Sequence, residues 1–346
     1  MKKLTRVLMG LFAAAAILLP VIQSANVSAQ ATALTITPRK ELVVQKGETK
    51  TDNLPVGNPK QDEELILTLK VVDFTAKNQT GAPSLNLSDD SRQETWSLKK
   101  YITIPKEVTL KAGQTTNVPF SVTMPANIGA GSYYSAIQYV AQSKSGENVS
   151  VAASATTLVF VSVPGDAKQQ MSLQQLGAFS GEPNSDKGEF KLFYFGSQPK
   201  VISYVLKNSG NVAERPVGSI ILKNSFTGKV TKIDSANPTN ALALIGQERR
   251  FDTCIKTTEK QTQSATGSVT EKSCDNPGLS PGRYTVTLSA FYGQENGKSL
   301  EVSGTSSFWY LPTWFVIACI VIILAVVTLI WWIINKVKNR TPVRRR

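Results

Sequence analysis

An all-β protein, two immunoglobulin-like β-sandwich domains in tandem followed by a single transmembrane α-helix, is the architecture that three features of this sequence predict. β-branched and aliphatic runs of strand length recur at near-regular spacing, with Gly, Pro and Asn between them. No stretch between the two ends of the chain sustains a helical apolar period over three turns. A single uncharged run, Trp314 to Ile334, then closes the sequence before a basic tail. The expected divisions are a signal peptide over 1–29, an N-terminal sandwich over 30–163 and a linker over 164–175. A second sandwich over 176–308, a transmembrane helix over 314–334 and a basic cytoplasmic tail over 335–346 complete the chain.

The N-terminus orders its residues as an export signal does. Lys2, Lys3 and Arg6 precede an apolar stretch from Val7 to Ile22, broken by Gly10 and Pro20. Val27-Ser28-Ala29 then places small residues at the offsets that favour cleavage after Ala29. An uncleaved anchor is the other reading, and both Pro20 and the small-residue site argue for release.

At the other end, the 21 residues from Trp314 to Ile334 match the length of helix that crosses a hydrocarbon core. Phe308, Trp309, Tyr310 and Trp314 precede this run, and Trp331 and Trp332 close it, as expected of rings at two headgroup levels. The tail beyond carries Lys336, Lys338, Arg340, Arg344, Arg345 and Arg346 without an acid, which predicts a cytoplasmic C-terminus and a cell-membrane, single-pass protein with an extracellular ectodomain. These six cations and the three at the N-terminus account for nine of the +13 formal charge, leaving +4 for everything between. The basic balance is thus a matter of targeting and topology, and no nucleic-acid partner is expected.

Cysteine usage agrees with export. Cys319 lies within the apolar run, where it serves as a small apolar residue. Cys254 and Cys274 are the other two, and an oxidising compartment predicts a bridge between them, although two free thiols are also compatible with the sequence. The bridge would enclose Ile255 to Ser273, mostly Thr, Ser, Lys, Gln and Glu, as a clipped hairpin loop.

In the first sandwich the expected strands are Leu65–Val72, Tyr101–Ile104, Val118–Met124, Tyr133–Gln142 and Thr156–Val163. Lys111-Ala112-Gly113-Gln114 reads as a tight turn that needs glycine. Past the polar connector, seven runs are expected: Glu189–Phe195, Lys200–Lys207, Val217–Lys223, Lys229–Ile233, Arg249–Lys256, Arg283–Tyr292 and Ser299–Ser307. Seven strands are what one immunoglobulin-like domain requires.

Trp96-Ser97-Leu98, Ile102-Thr103-Ile104-Pro105, the Val108–Gln114 run and Val118–Pro125 follow in close order and lead into Gly131-Ser132-Tyr133-Tyr134-Ser135-Ala136-Ile137. This series resembles the N-terminal domain of the bacterial WxL-interacting cell-surface protein family. Asn208-Ser209-Gly210-Asn211-Val212, Pro216–Ile220 and Thr227-Gly228-Lys229 are similar to that family's second domain. The resemblance implies surface proteins and peptidoglycan as partners.

Chemistry is sparse. The chain has no histidine, which removes Ser-His-Asp and Cys-His catalysis and the His-based zinc peptidase motifs. No phosphate-binding or dinucleotide glycine fingerprint is present, and no cofactor, catalytic residue or metal ligand is assigned. Asp62-Glu63-Glu64 and Asp89-Asp90 are the acidic clusters that a carboxylate-dependent hydrolase or, at Asp89 and Asp90, a calcium site would draw on. Both lie in turn-rich stretches where solvated carboxylates are the ordinary outcome. Leu311-Pro312-Thr313 is followed by Trp314, so it is no sortase signal.

Aromatic residues supply the candidate binding surface. Phe190, Phe193, Tyr194 and Phe195 cluster, and Tyr133 and Tyr134 are adjacent, which turns them to opposite faces of a strand. A sandwich core uses the same residues; Tyr133, Tyr134, Phe193 and Phe195 are the candidates if some face outward. Trp96-Ser97-Leu98 reads as a buried strand anchor in preference to a wall-binding signal. The expected function is therefore a membrane-anchored extracellular binding or scaffold protein, non-catalytic, which recognises surface proteins or cell-wall polymer through sheet edges or loops in an adhesive role. An extracytoplasmic hydrolase acting on wall material is the alternative from a different class, and a receptor subunit is the third, limited by its 12-residue tail.

Overall fold

The computed structural model describes residues 34–88, 94–145, 148–264, 267–295 and 297–338. The expected signal peptide and its cleavage site, the Asp89-Asp90 pair and the end of the tail lie outside these residues. The protein is mostly β, in several sheets, with one long apolar helix at its C-terminal end.

The first half contains β1 (Thr35–Ile36), β2 (Arg39–Val43), β3 (Thr49–Gly57), β4 (Leu65–Lys77), β5 (Ala82–Asn86), β6 (Ile102–Thr103), β7 (Glu107–Leu110), β8 (Thr115–Thr123), β9 (Gly131–Ser145) and β10 (Asn148–Val163). One sheet has the order β1-β3-β8-β6, and the facing sheet runs β2-β10-β9-β4-β5 with β7 also on β4. Alternation makes the core: Val118, Phe120 and Val122 of β8 point inward and meet Leu65, Leu67, Ile137, Tyr139 and Val159 from the other sheet. Pro38, which has no N–H to donate, separates β1 from β2 where the chain changes sheet, and β2 then lies parallel to β10. The turn before β8 has Gly113 at φ +62°, a left-handed conformation that glycine adopts without strain.

The second half contains β11 (Met171–Phe179), β12 (Phe193–Phe195), β13 (Val201–Asn208), β14 (Val217–Asn224), β15 (Val230–Ile233), β16 (Glu248–Cys254), β17 (Thr257–Ser264), β18 (Gly267–Cys274), β19 (Gly282–Glu295) and β20 (Lys298–Leu311). A three-stranded sheet, β11-β13-β16, faces a five-stranded sheet, β12-β20-β19-β14-β15. Ile202, Tyr204 and Leu206 from the first and Ile220, Val286, Leu288 and Phe308 from the second fill the space between them. The helix, α1 (Thr313–Lys338), begins one residue after β20 ends, and Pro312 alone separates them.

Several boundaries differ from the sequence expectation, and the run expected over Glu189–Phe195 is a strand only at Phe193–Phe195. β11 starts at Met171, inside the stretch expected to be linker, because Met171 and Leu176 turn into the second core while polar residues between them face solvent. β20 runs on to Leu311, so the second sandwich extends past 308. As a result Phe308 and Tyr310, expected among the rings of the membrane belt, alternate into the sandwich core and are buried, leaving Trp309 on the outer side. The polar stretch between the cysteines pairs as the β17–β18 hairpin, in keeping with the hairpin loop expected there.

The two sandwiches are packed on each other. The outer face of the six-stranded sheet in the first half presents Val72, Phe74, Tyr134, Ala136 and Phe160, which cluster with Leu244, Leu242, Ile245 and Ala213 of the second. Backbone and side-chain bonds seal the junction: Ser132 N–H donates to Asn211 O (2.9 Å), Asn211 Nδ2 to Ala130 O (3.0 Å) and Ala213 N–H to Ser132 Oγ (3.0 Å). A Cβ on Gly131 would lie 2.6 Å from Asn211 O, so this contact requires glycine.

Candidate functional site

Of the four aromatic candidates, the structure separates two from two. Tyr134 is 1% exposed and belongs to the junction, its ring 5.2 Å from Phe74, 5.6 Å from Phe160 and 6.0 Å from Trp96. Tyr134 is therefore no surface residue: β9 lies at the centre of its sheet, and the second sandwich covers the face that Tyr134 occupies. Tyr133, on the opposite face, packs against the first core and donates its hydroxyl to Gly129 O (3.0 Å), which leaves it half-buried. Phe193 and Phe195 are exposed, with rings stacked at 6.2 Å, while Tyr194 between them enters the core. Phe190 packs edge-on against Phe179.

Trp96-Ser97-Leu98 docks on β9 beside Tyr134. Tyr134 N–H donates to Trp96 O (2.8 Å), and Ser97 Oγ and Ser135 Oγ both donate to Asp73 Oδ1, at 2.6 and 3.0 Å. With Leu98 fully buried, the triplet is tied into the fold.

The two sheets of the second sandwich treat their outer faces in opposite ways. On β13 the outward residues Val201, Ser203 and Val205 are buried, and the segment 180–190 lies against this face, tied to Asp252 and Arg250, the cross-strand partners of Ser203 and Val205. That segment is held by Asp252, which accepts from Asn184 N–H (2.7 Å), Ser203 Oγ (2.6 Å) and Arg250 Nε (2.8 Å). Arg250 in turn donates to Ser185 O (2.7 Å) and lies 4.1 Å above the Phe179 ring. The outer face of the five-stranded sheet has no such cover. Phe193, Phe195, Val217, Ile221, Val230 and Phe291 stand exposed on it, joined by Leu192 just before β12 and Phe226 in the β14–β15 turn. Among the described residues of the first sandwich only Val43 and Leu87 are large apolar residues exposed to this degree.

The exposed residues fall into two groups by height. Val217 and Phe291 are cross-strand partners near the first sandwich, whereas Phe193 and Phe195 pair with Trp309 and Leu311 beside α1. Val217, Ile221 and Phe291 were not singled out from the sequence. The signal was present: Val217-Gly218-Ser219-Ile220-Ile221-Leu222 places apolar residues on both faces of one strand, and a sandwich buries only one.

The carboxylates are committed elsewhere. Glu63 is paired with Lys60, while Asp62 and Glu64 are exposed. Asp186 and Glu248 share a groove of about 790 Å³ at the junction, but each carboxylate accepts a hydrogen bond from the first sandwich, Asp186 from Asn78 (3.4 Å) and Glu248 from Gln79 (3.1 Å). A second junction cavity of about 380 Å³ is lined by Arg39, Arg249, Phe74, Phe160 and Leu244 without a carboxylate. Burial pushes Glu214, beside Gly293, up to about 7. Cys254 and Cys274 form a disulfide at the base of the β17–β18 hairpin.

No protein-family model matches the chain, and no curated protein matches it. Solved structures similar to it include the class 5 fimbriae chaperone CfaA, at 13% identity over 80% of this chain and 98% of that chain, with a TM-score of 0.35. The CsuC–CsuE chaperone–tip adhesion subunit complex from Acinetobacter baumannii matches at 13% identity, 78% and 97% coverage and a TM-score of 0.32. The E. coli chaperone DraB matches at 10% identity, 81% and 97% coverage and a TM-score of 0.32.

Proposed function

We propose that this chain is a non-catalytic binding or scaffold protein of the WxL-interacting type, held at the cell membrane by α1 with its two immunoglobulin-like sandwiches outside and its basic tail inside. Its partner is a surface protein, with peptidoglycan as the second class. One observation carries the reading: among the described strand residues of the second sandwich, the exposed large apolar side chains stand on one uncovered sheet face, while segment 180–190 lies against the opposite face. Exposed large apolar residues grouped on one sheet face are a sign of a binding surface. Val217, Ile221 and Phe291 form its upper part, Val217 and Phe291 about 40 Å and Ile221 about 26 Å along β20 from Thr313 at the rise of an extended strand. That height suits a partner approaching from the side, since the first sandwich covers the top. The orientation rests on the cations of the tail.

Photo-crosslinking on intact cells of the source organism tests this reading. A photoreactive residue at Phe291 of the full chain should capture a discrete surface protein or wall fragment, and one at Glu182, on the covered side, should not. Equal capture at both positions, or turnover of wall glycan by the purified chain without capture, would refute the proposal.

A further inference from the structure

The lower part of the same face is chemically different and has a different neighbour. β12 is short and lies parallel to the last residues of β20, so that Phe193 is opposite Trp309, Tyr194 opposite Tyr310 and Phe195 opposite Leu311. Trp309 N–H donates to Leu192 O (2.7 Å), and the Phe226 ring meets Trp309 edge-on at 5.8 Å. Leu192, Phe193, Phe195 and Phe226 thus form an apolar collar around the outward side of Trp309, contributed by segments distant in sequence. Exposed Arg283, the cross-strand partner of Trp309, and Lys229 in the neighbouring turn add cations at the same level.

The height of this collar follows from the chain. The uncharged run from Trp314 to Ile334 contains 21 residues, which as a helix measures about 31 Å. A hydrocarbon core is about 30 Å thick, so a spanning helix has little room to slide and Trp314 stands at its boundary. Pro312 is the only residue between strand and helix, which keeps the second sandwich against the headgroups. Leu311, and with it Phe195, lies about 7 Å above Thr313, and Trp309 with Phe193 about 13 Å above it, at the rise of an extended strand. The headgroup layer of one leaflet is about 5–8 Å deep. Along an upright strand Phe195 therefore falls within this layer, whereas Phe193 stands about 5 Å above it and reaches it when the sandwich leans toward the collar side.

We infer that the second sandwich leans toward the collar side, so that Phe195, and with it Leu192, Phe193 and Phe226, seat in the outer headgroup layer of the membrane, with Arg283 and Lys229 facing anionic lipid headgroups. The collar is a lipid contact and takes no protein partner. This rests on the reading that α1 spans a membrane. Aromatic and basic residues together are what an interfacial contact uses. One helix alone leaves the ectodomain free to rotate and tilt, whereas a second contact offset from the helix fixes which face of the second sandwich turns toward the membrane. Val217 and Phe291 are then held clear of the lipid.

The test uses the full chain carrying Cys319→Ala, reconstituted in vesicles of equal parts phosphatidylcholine and phosphatidylglycerol, with an environment-sensitive fluorophore on one introduced cysteine. Phe195→Cys and Phe226→Cys report on the collar from two separate segments, so one poorly folding variant does not decide the outcome. Lys111→Cys reports on the far end of the first sandwich, and Val321→Cys on the helix. The expected result is blue-shifted emission at 195 and 226, lost to lipids carrying a nitroxide at the headgroup, with no change at 111. Water-like emission at 195 and 226 together with deep quenching at 321 would overturn the collar and leave the spanning helix standing. Absence of quenching at 321 would overturn both.

Discussion

Arg250 and Asp252 lie on the same face of β16 and form a buried ion pair, Nε to Oδ1 at 2.8 Å, with side chains 7% and 2% exposed. Both charges are multiply satisfied. Asp252 also accepts from Ser203 and Asn184, and Arg250 donates to Ser185 O, so the pair fastens the segment 180–190 to the sheet. Asp252→Ala would leave a buried guanidinium uncompensated, and breaking such a pair costs about 3–5 kcal/mol. The expected outcome is a loss of that size in denaturant unfolding, with the Asn184 amide losing exchange protection ahead of β13. A loss below about 1 kcal/mol, within the range of a surface ion pair, would show the pair to be solvated.

Tyr134 predicts how far the two sandwiches act as one unit. Its ring fills the junction against Phe74, Phe160 and Trp96, opposite Leu244. Truncation of a large buried aromatic costs about 3–5 kcal/mol, and here the cavity opens between units that each have their own core. Tyr134→Ala should therefore convert a single thermal transition into two, with the first reporting separation of the halves by calorimetry. A single, uniformly lowered transition would place the contribution of Tyr134 within the first sandwich alone.

The alternating runs were legible because burial on one face imposes a period of two. β4, β9, β10, β14, β19 and β20 contain the stretches their sequences mark out, and β8 and β13 match theirs to within one residue. The helix was legible for the same reason in reverse, since a run apolar all round has no polar face to offer water. β1 was not, being two residues held by pairing with β3 more than by its own pattern, whereas β6 falls within the expected Tyr101–Ile104 run. Strand periodicity turns Tyr133 and Tyr134 to opposite faces but cannot say that a second domain covers the face of Tyr134. Phe193 and Phe195 were identified, but their position beside α1 depends on the parallel pairing of β12 with β20, a contact across more than a hundred residues.

Removing the disulfide should act on the hairpin and the unfolded chain more than on the sandwich. Cys254 ends β16 and Cys274 ends β18, 20 residues apart in sequence. Cross-linking a loop of that length stabilises by about 3 kcal/mol in the chain-entropy account. A Cys254→Ser, Cys274→Ser double variant should lose about that much, and protease should then cut between Thr257 and Ser273 while the remaining chain stays folded. Retention of full stability would mean that pairing of β17 with β18 already closes the loop.

Glu214 makes stability depend on pH. It lies between β13 and β14, where its backbone exchanges hydrogen bonds with Ala243, and its residue is 4% exposed. Burial raises it from 4.5 to about 7, and a backbone hydrogen bond at Gly293 offsets only part of the effect. The folded chain therefore holds a proton that the unfolded chain releases, so this group's contribution is full below about pH 4.5, falls as pH rises through the window to about 7, and is lost above it. A shift of that size corresponds to about 3 kcal/mol as an upper figure, reduced by whatever solvent reaches the carboxylate. Glu214→Gln keeps the shape and removes the titration. The variant should match the parent near pH 4.5, exceed it by about 1–3 kcal/mol at pH 8, and show a flatter profile between. Parallel profiles for parent and variant would show that the Glu214 carboxylate is hydrated in the folded protein. Asn211 and Ala213, which bond to the first sandwich, are close neighbours in the same segment, so the loss in the parent should be accompanied by faster amide exchange at Ser132 and Ala213.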